Sequence, residues 1–158
     1  MDWREDRIGA ALRGENPTVM ARLPCSFAAI GDVQFLPGYS VLLVDDPAVD
    51  RLTDLPLADR RAYLDSLDLL AEAVSVACAG LDPAFRRVNI EILGNTDAYL
   101  HAHVFPRFDW EEPARVTKPV WLYGERMWRN PHVRLGPDHD IVRSAITREI
   151  EQVRGDRD

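Results

Sequence analysis

Apolar positions change period several times along the chain, and each change marks an element. Residues 3–14 put Ile8, Ala11 and Leu12 on one side of a short segment that stops at Gly14, ahead of Asn16-Pro17, which predicts an N-terminal helix. Val19, Ala21 and Leu23 then alternate with polar or small residues, and Ser26–Ile30 and Ser40–Val44 are short apolar runs, which together predict three strands. Between the second and third of these, Pro37-Gly38 marks a tight turn.

The longest helical pattern opens around Asp54, Pro56 and Asp59 and closes at Ala79-Gly80. Within it Leu64, Leu67, Leu70, Ala71, Val74, Ala77 and Cys78 recur at spacings of three and four, which predicts one long helix laying this stripe on a sheet. Two more strands follow, Arg87–Leu93 and Tyr99–Pro106, joined by the polar connector Gly94-Asn95-Thr96-Asp97 of the kind that turns antiparallel neighbours. Val88, Ile90 and Ile92 alternate with Asn89 and Glu91, and Leu100, Ala102 and Val104 alternate with Tyr99, His101 and His103. Each strand therefore has one apolar face and one polar or ionisable face. The expected fold is α+β: an antiparallel sheet of about five strands, covered by the long helix on one face and partly open on the other. From Asp109 the pattern breaks into a Pro- and Trp-rich irregular stretch, and a last helix is expected from about Asp138 to Val153 with Ile141, Ile146 and Ile150 inward.

Length and composition narrow this picture. With 158 residues, 46% hydrophobic and 28% charged, the chain reads as one globular domain over 1–158: a core of about 18–108, the helix over about 3–14, and the irregular segment and helix over about 109–154. The formal charge of -7, from 19 Lys and Arg against 26 Asp and Glu, argues against a non-specific grip on nucleic acid. A small anion needs only a few oriented N–H groups and one or two cations, so it stays open. No run approaches the roughly 20 apolar residues of a membrane span, and the charged N-terminal stretch has no signal-peptide apolar region, so the expectation is a cytoplasmic protein without a membrane partner. Cys25 and Cys78, without C-x-x-C spacing, read as reduced and structural.

Candidate chemistry is concentrated at Tyr99, His101 and His103, which alternation puts in a row on the non-core face, about 6.5 to 7 Å from one to the next. The row by itself admits three readings. It could be two histidines on a surface or interface. It could be a pair of zinc ligands awaiting a third, with His132, His139, Asp32 and Glu91 as the available donors. Or it could be a phosphate site, with one imidazole as nucleophile and the other donating to phosphate oxygens.

The surrounding residues bear on the choice. Tyr99-Leu100-His101-Ala102-His103-Val104-Phe105-Pro106-Arg107 resembles the signature of the histidine triad superfamily, three histidines alternating with hydrophobic residues, with tyrosine in the first position. Asn89-Ile90-Glu91-Ile92-Leu93-Gly94-Asn95 is similar to the stretch preceding the triad in bacterial members, including those of diadenosine tetraphosphate hydrolase type. Phe27–Val44 resembles the family's strand, Pro-Gly-His turn and strand, with Tyr39 replacing the turn histidine. The resemblance spans roughly residues 18–108.

It implies the family fold, frequently paired as a homodimer, and nucleotidyl transfer to water. Substrates of that class are dinucleoside polyphosphates, nucleoside phosphoramidates and acyl or aminoacyl adenylates. Carried over, His101 is the nucleophile that forms a nucleotidyl-imidazole intermediate, its other ring nitrogen held by a backbone carbonyl, and His103 contacts phosphate oxygens. Tyr99 at the first position offers only a hydroxyl. Asn95 and Thr96 are placed to meet the phosphates or simply to build the turn, and Asn89 shares the histidines' side as a candidate polar contact. Asp32 lies one residue from the position that holds the ribose hydroxyls, which strict alignment on Pro37-Gly38 gives to Gly31. Phe27 and Ile30 line either a base pocket or the core. Arg107 reaches either a phosphate or a surface ion pair. Trp110, Trp121 and Trp128 lie where members vary and shape leaving-group choice; packing under a loop is the first reading for them, and stacking on a base the second.

The resulting expectation is a hydrolase of nucleotide phosphoanhydride or P–N bonds acting through His101 on a small-molecule nucleotide. It requires no cofactor or protein metal ligand, although a divalent cation can accompany a polyphosphate substrate. Two alternatives stand beside it: a nucleotide-binding regulatory protein with little turnover, and a zinc-dependent hydrolase using His101 and His103.

Overall fold

The computed structural model describes residues 2–157. Five strands, β1 (Val19–Leu23), β2 (Ser26–Ile30), β3 (Ser40–Val44), β4 (Phe85–Glu91) and β5 (His101–Phe108), form one antiparallel sheet in the order β1-β2-β3-β5-β4. The four α-helices among the described residues are α1 (Arg7–Leu12), α2 (Leu57–Leu81), α3 (Glu125–Trp128) and α4 (Asp140–Arg157). Among the described residues no helix is long and apolar enough to cross a membrane.

Register places the two faces as strand parity requires. Leu42 pairs with Ala102 and Ile30 with Ser40, and Ala28, Ile30, Leu42, Val44, Ala102 and Val104 form the fully buried face under α2. His101 pairs with Leu43 and His103 with Val41 and with Glu91, so both histidines share the opposite face with Tyr39 and Phe105. Tyr63 of α2 donates from its hydroxyl to the Leu42 carbonyl at 3.0 Å, fixing the helix to the central strand.

Helix α2 buries more than the stripe its periodicity predicts. Leu67, Leu70, Ala71, Val74 and Cys78 are buried as expected, but Leu64 is exposed, and Leu69 and Ala73 are buried in addition. The cause is α4, which packs alongside α2 and covers a second side of it. In α4 the inward stripe is Val142, Ala145, Ile146, Ile150 and Val153; Ile141 is 72% exposed, because it lies one residue, about 100° of helix, off that stripe. Similarly α1 is shorter than the 3–14 expectation: the Asp6 carboxylate accepts from the Gly9 N–H and caps the helix at Arg7, and Leu12 faces solvent.

The open face is less open than the alternation implies. Every residue of β5 from His101 to Phe108 is buried on both faces. Beyond His103 the chain folds back over the sheet, and Trp121 and Trp128, stacked at 4.7 Å, close over Phe105 while Phe35 meets Trp128 edge-on.

This return is anchored by Arg107, whose side chain is 2% exposed. Its guanidinium forms a forked pair with Glu111 at 2.9 Å and donates to the carbonyls of Arg115 and Lys118. Glu111 also accepts from the Phe108 N–H and the Tyr123 hydroxyl. Burial raises the Glu111 pKa, but the Arg107, Tyr123 and Phe108 hydrogen bonds outweigh it and hold the carboxyl below its ordinary range. Arg107 thus spends its donors on the fold, so neither a phosphate contact nor a surface ion pair describes it.

Candidate active site

The turn between β2 and β3 shapes one wall of the site. Gly38 has φ +100, and a Cβ there would lie 2.5 Å from Cys78 Sγ, so glycine is required on both counts. Gln34, buried, ties the turn together: its amide donates to the carbonyls of Gly31 and Tyr39, and its oxygen accepts the Gly38 N–H. A Cβ on Gly31 would fall 2.3 Å from the Tyr39 ring. Gly31 therefore gives Tyr39 the space to lie over the sheet, stacked on Phe105 at 4.4 Å. Local sequence signals marked the Pro-Gly turn but not Gln34, whose role is visible only when the turn is closed.

His101 is held by the backbone just ahead of its strand. Its Nδ1 lies 2.8 Å from the Tyr99 carbonyl oxygen, and a carbonyl only accepts, so Nδ1 carries the proton and the Nε2 lone pair is left available as a nucleophile. His103 is held from across the sheet: its Nδ1 lies 2.8 Å from the Tyr39 hydroxyl. Burial keeps the Tyr39 phenol protonated far above its ordinary pKa, and among the described residues His103 is its only polar partner. Nδ1 is then the one acceptor for the phenol O–H among the described residues, which favours the tautomer with Nδ1 accepting and Nε2 carrying the His103 proton. Burial, with a smaller contribution from His101, pushes the His103 pKa down to about 3, so it stays neutral at ordinary pH. The two rings meet edge to face with centroids 4.9 Å apart.

Two cavities meet at this pair. The first, about 250 Å³, runs from the histidines past Tyr99 and Tyr39 to Gly31, Asp32 and Arg7. The second, about 440 Å³, is bounded by Leu93, Gly94, Asn95, Thr96, Asp97 and Trp121. No Lys or Arg lines this second cavity, whose one charged wall residue apart from the histidines is Asp97.

The remaining candidates distribute around this axis. Tyr99 and Asp32 line the first cavity, and Asn95 and Thr96 the second. Both carboxylate oxygens of Asp32 are engaged by Arg7, at 2.6 and 3.2 Å, a partner from α1 that lies outside the stretch carrying the sequence motif. Ile30 borders the first cavity, but strand parity puts its side chain in the buried face under α2. Phe27 is on the histidine face but buried under Arg22, away from both cavities. Asn89, opposite Phe105, keeps the predicted parity yet lines neither cavity. Trp110 lies outside the site, stacked on Phe108, whereas Trp121 and Trp128 pack together and also face the cavities. Among the described residues no three His, Cys, Asp or Glu side chains come together as a metal-ligand group. Both cysteines are unpaired, and burial, then Asp82, pushes the Cys78 thiol up to about 12.

An antiparallel five-stranded sheet, one long helix behind it and an H-x-H pair on its far face define a histidine-triad-like architecture. Solved structures bear this out. A histidine triad protein from Sinorhizobium meliloti 1021 superposes with a TM-score of 0.67 at 18% identity, over 96% of this chain and 94% of its own. One from Marinobacter aquaeolei VT8 gives 0.68 at 17% identity, over 85% and 89%. A Zn-bound histidine triad family protein from Mycobacterium smegmatis gives 0.62 at 20% identity, over 92% and 93%. No protein-family model and no curated protein matches the sequence. At these identities the likeness establishes the fold, which is that of the histidine triad proteins.

Proposed function

We propose that this chain is a histidine-triad hydrolase that cleaves a nucleoside phosphoramidate or acyl phosphate through a nucleotidyl–His101 intermediate. The observation that carries this reading is the fixed tautomer of His101, with Nδ1–H bound to the Tyr99 carbonyl and Nε2 unprotonated beside a neutral donor, His103. The nucleoside takes the first cavity and the leaving group the second. Nε2 attacks the α-phosphorus while the bond to the leaving group breaks, and the departing amine takes a proton from solvent. Water then attacks phosphorus, the N–P bond opens, His101 recovers its lone pair and a nucleoside monophosphate leaves with the remaining water proton accounted for by solvent. His103 Nε2–H stabilises the charge on the phosphoryl oxygens.

The leaving-group cavity favours a P–N or acyl bond over a polyphosphate. A leaving nucleoside polyphosphate carries several negative charges, and this cavity offers Asp97 and no cation to meet them. A second reading, a nucleotide-binding protein with little turnover, draws on Tyr99 and Tyr39 standing where the resemblance implies histidines. A homodimer is proposed through the unpaired edge of β4, where Ile90 is exposed with Ile92 and Leu93 beside it.

The test is incubation with adenosine 5′-phosphoramidate and with diadenosine tetraphosphate, with and without chelator, beside His101→Ala. Release of AMP from the phosphoramidate by the parent alone, unaffected by chelator, is expected. Equal activity in the variant overturns the mechanism, loss with chelator favours a metal hydrolase, and binding without product favours the second reading.

A further inference from the structure

Beyond Asp32 the nucleoside cavity opens into a third, of about 680 Å³, that shares Thr18, Asp32, Val33 and Trp128 with it. Arg4, Arg134 and Arg143 line this space. In a chain of net charge -7 that is a local reversal of sign. Its carboxylates are already matched. Asp32 is bonded through both oxygens by Arg7 and has Arg4 at 3.9 Å, while Asp2 accepts from Arg4. Among the described residues Arg143 has only the Pro17 and Val19 carbonyls as partners, and the Arg134 side chain has no hydrogen-bond or ion-pair partner.

The position of Arg134 is built rather than incidental. Its strand-like segment bridges Val33, with the Gln34 N–H donating to the Val133 carbonyl and the Leu135 N–H to the Asp32 carbonyl, at 2.6 and 2.8 Å. The same backbone that carries Asp32 therefore holds Arg134 over the cavity. Arg7 bonds both Asp32 oxygens and neutralises the carboxylate, and the surroundings are an array of guanidinium donors, which matches a phosphate dianion better than a hydroxyl.

We propose that this arginine-lined cavity is a second anion subsite, which takes a phosphate monoester carried on the ribose of the nucleotide bound at His101. The inference rests on the nucleoside lying in the first cavity. The substrate then carries its extra negative charge on the nucleoside side, toward Arg134 and Arg143, and a neutral or cationic leaving group on the other side, whose cavity has no Lys or Arg.

Calorimetric titration of the full chain with AMP, adenosine 3′,5′-bisphosphate and adenosine 2′,5′-bisphosphate tests this, and the two bisphosphates tell which hydroxyl bears the group. One bisphosphate is expected to bind about ten-fold or more tightly than AMP, as one charge-assisted contact allows. In Arg134→Gln that ratio falls toward one while the affinity for AMP is retained, which also shows that the variant is folded. Equal or weaker binding of both bisphosphates overturns the subsite and leaves the hydrolase reading standing. So does a preference that survives in both Arg134→Gln and Arg134→Gln/Arg143→Gln. Failure of AMP and both bisphosphates to bind overturns the subsite and the nucleoside assignment together, whereas bisphosphate preference without phosphoramidate turnover supports the subsite and removes only the hydrolase reading.

Discussion

The Tyr39 hydroxyl lies 2.8 Å from Nδ1 of His103, joining the β2–β3 turn to the middle of β5 across 64 residues of sequence. With no other polar partner among the described residues, the phenol meets its O–H hydrogen-bonding capacity by donating to Nδ1, so this contact sets which His103 nitrogen carries the proton. In Tyr39→Phe the tautomer is released and a buried acceptor loses its partner. The expected effect is a fall in kcat of about ten-fold, in line with a penalty of about 1–3 kcal/mol for an unmet buried polar group. Tyr39→His, which can again donate to Nδ1, is expected to recover part of the loss. Steady-state kinetics on adenosine 5′-phosphoramidate measures both.

Gly31→Ala should reproduce the Tyr39 defect without touching the hydroxyl. The added methyl would sit 2.3 Å from a ring carbon of Tyr39, and backbone and ring must part. Lower kcat together with a lower melting temperature is expected; an unchanged variant would show that the ring has room to spare.

Stability should depend on pH through His103. Burial, and secondarily His101, depress its folded pKa to about 3 from an ordinary 6.5, so between those values the unfolded chain binds the extra proton. The contribution is fully present above about pH 6.5 and is lost progressively as pH falls toward 3. Chemical denaturation from pH 7.5 to 4.5 is expected to show falling stability, by an order of a few kcal/mol at most, and His103→Gln should flatten that slope. An equally steep slope in the variant would assign the dependence elsewhere.

Arg107 and Glu111 should matter to folding rather than to substrate contact. Glu111→Gln leaves a buried guanidinium short of its counter-charge, with a cost of about 3–5 kcal/mol. Arg107→Lys keeps the charge but not the fork that also reaches the Arg115 and Lys118 carbonyls, and is expected to be destabilised as well. Thermal melts detect the loss. At a temperature where each variant is folded, its KM should stay within about two-fold of the parent, since neither side chain lines a cavity.

Trp121 bridges the two functions of the returning segment, packing at 5.0 Å from His103 and walling the leaving-group cavity. Trp121→Ala is expected to raise KM for an adenosine phosphoramidate of an aromatic amine by about ten-fold, and to change KM for the unsubstituted phosphoramidate much less. A uniform loss on both substrates would make Trp121 a packing residue alone.

Much of this architecture was written in local patterns. Strand parity alone sets His101 and His103 on one face and Ala102 and Val104 on the other, and the three-and-four spacing of α2 finds most of its buried stripe. Leu64 and Ile141 are exposed against their periodicity, because the packing of α2 against α4 decides which side of each helix is covered. The histidine face is covered by the Pro- and Trp-rich stretch, which has no period from which its return over Phe105 could be read.

The sequence by itself determined five strands, the last two displaced by two residues so that Tyr99 precedes β5, together with the long helix and the alternation that lines up His101 and His103, because period and turn chemistry are properties of neighbouring residues. Only the tertiary structure decided what the polar side chains do. Arg107 turned inward to Glu111, Asp32 was claimed by Arg7 from 25 residues upstream, and His103 received its proton donor from Tyr39. Those assignments depend on distance, burial and unmet hydrogen-bond capacity, and these exist only once distant segments have packed.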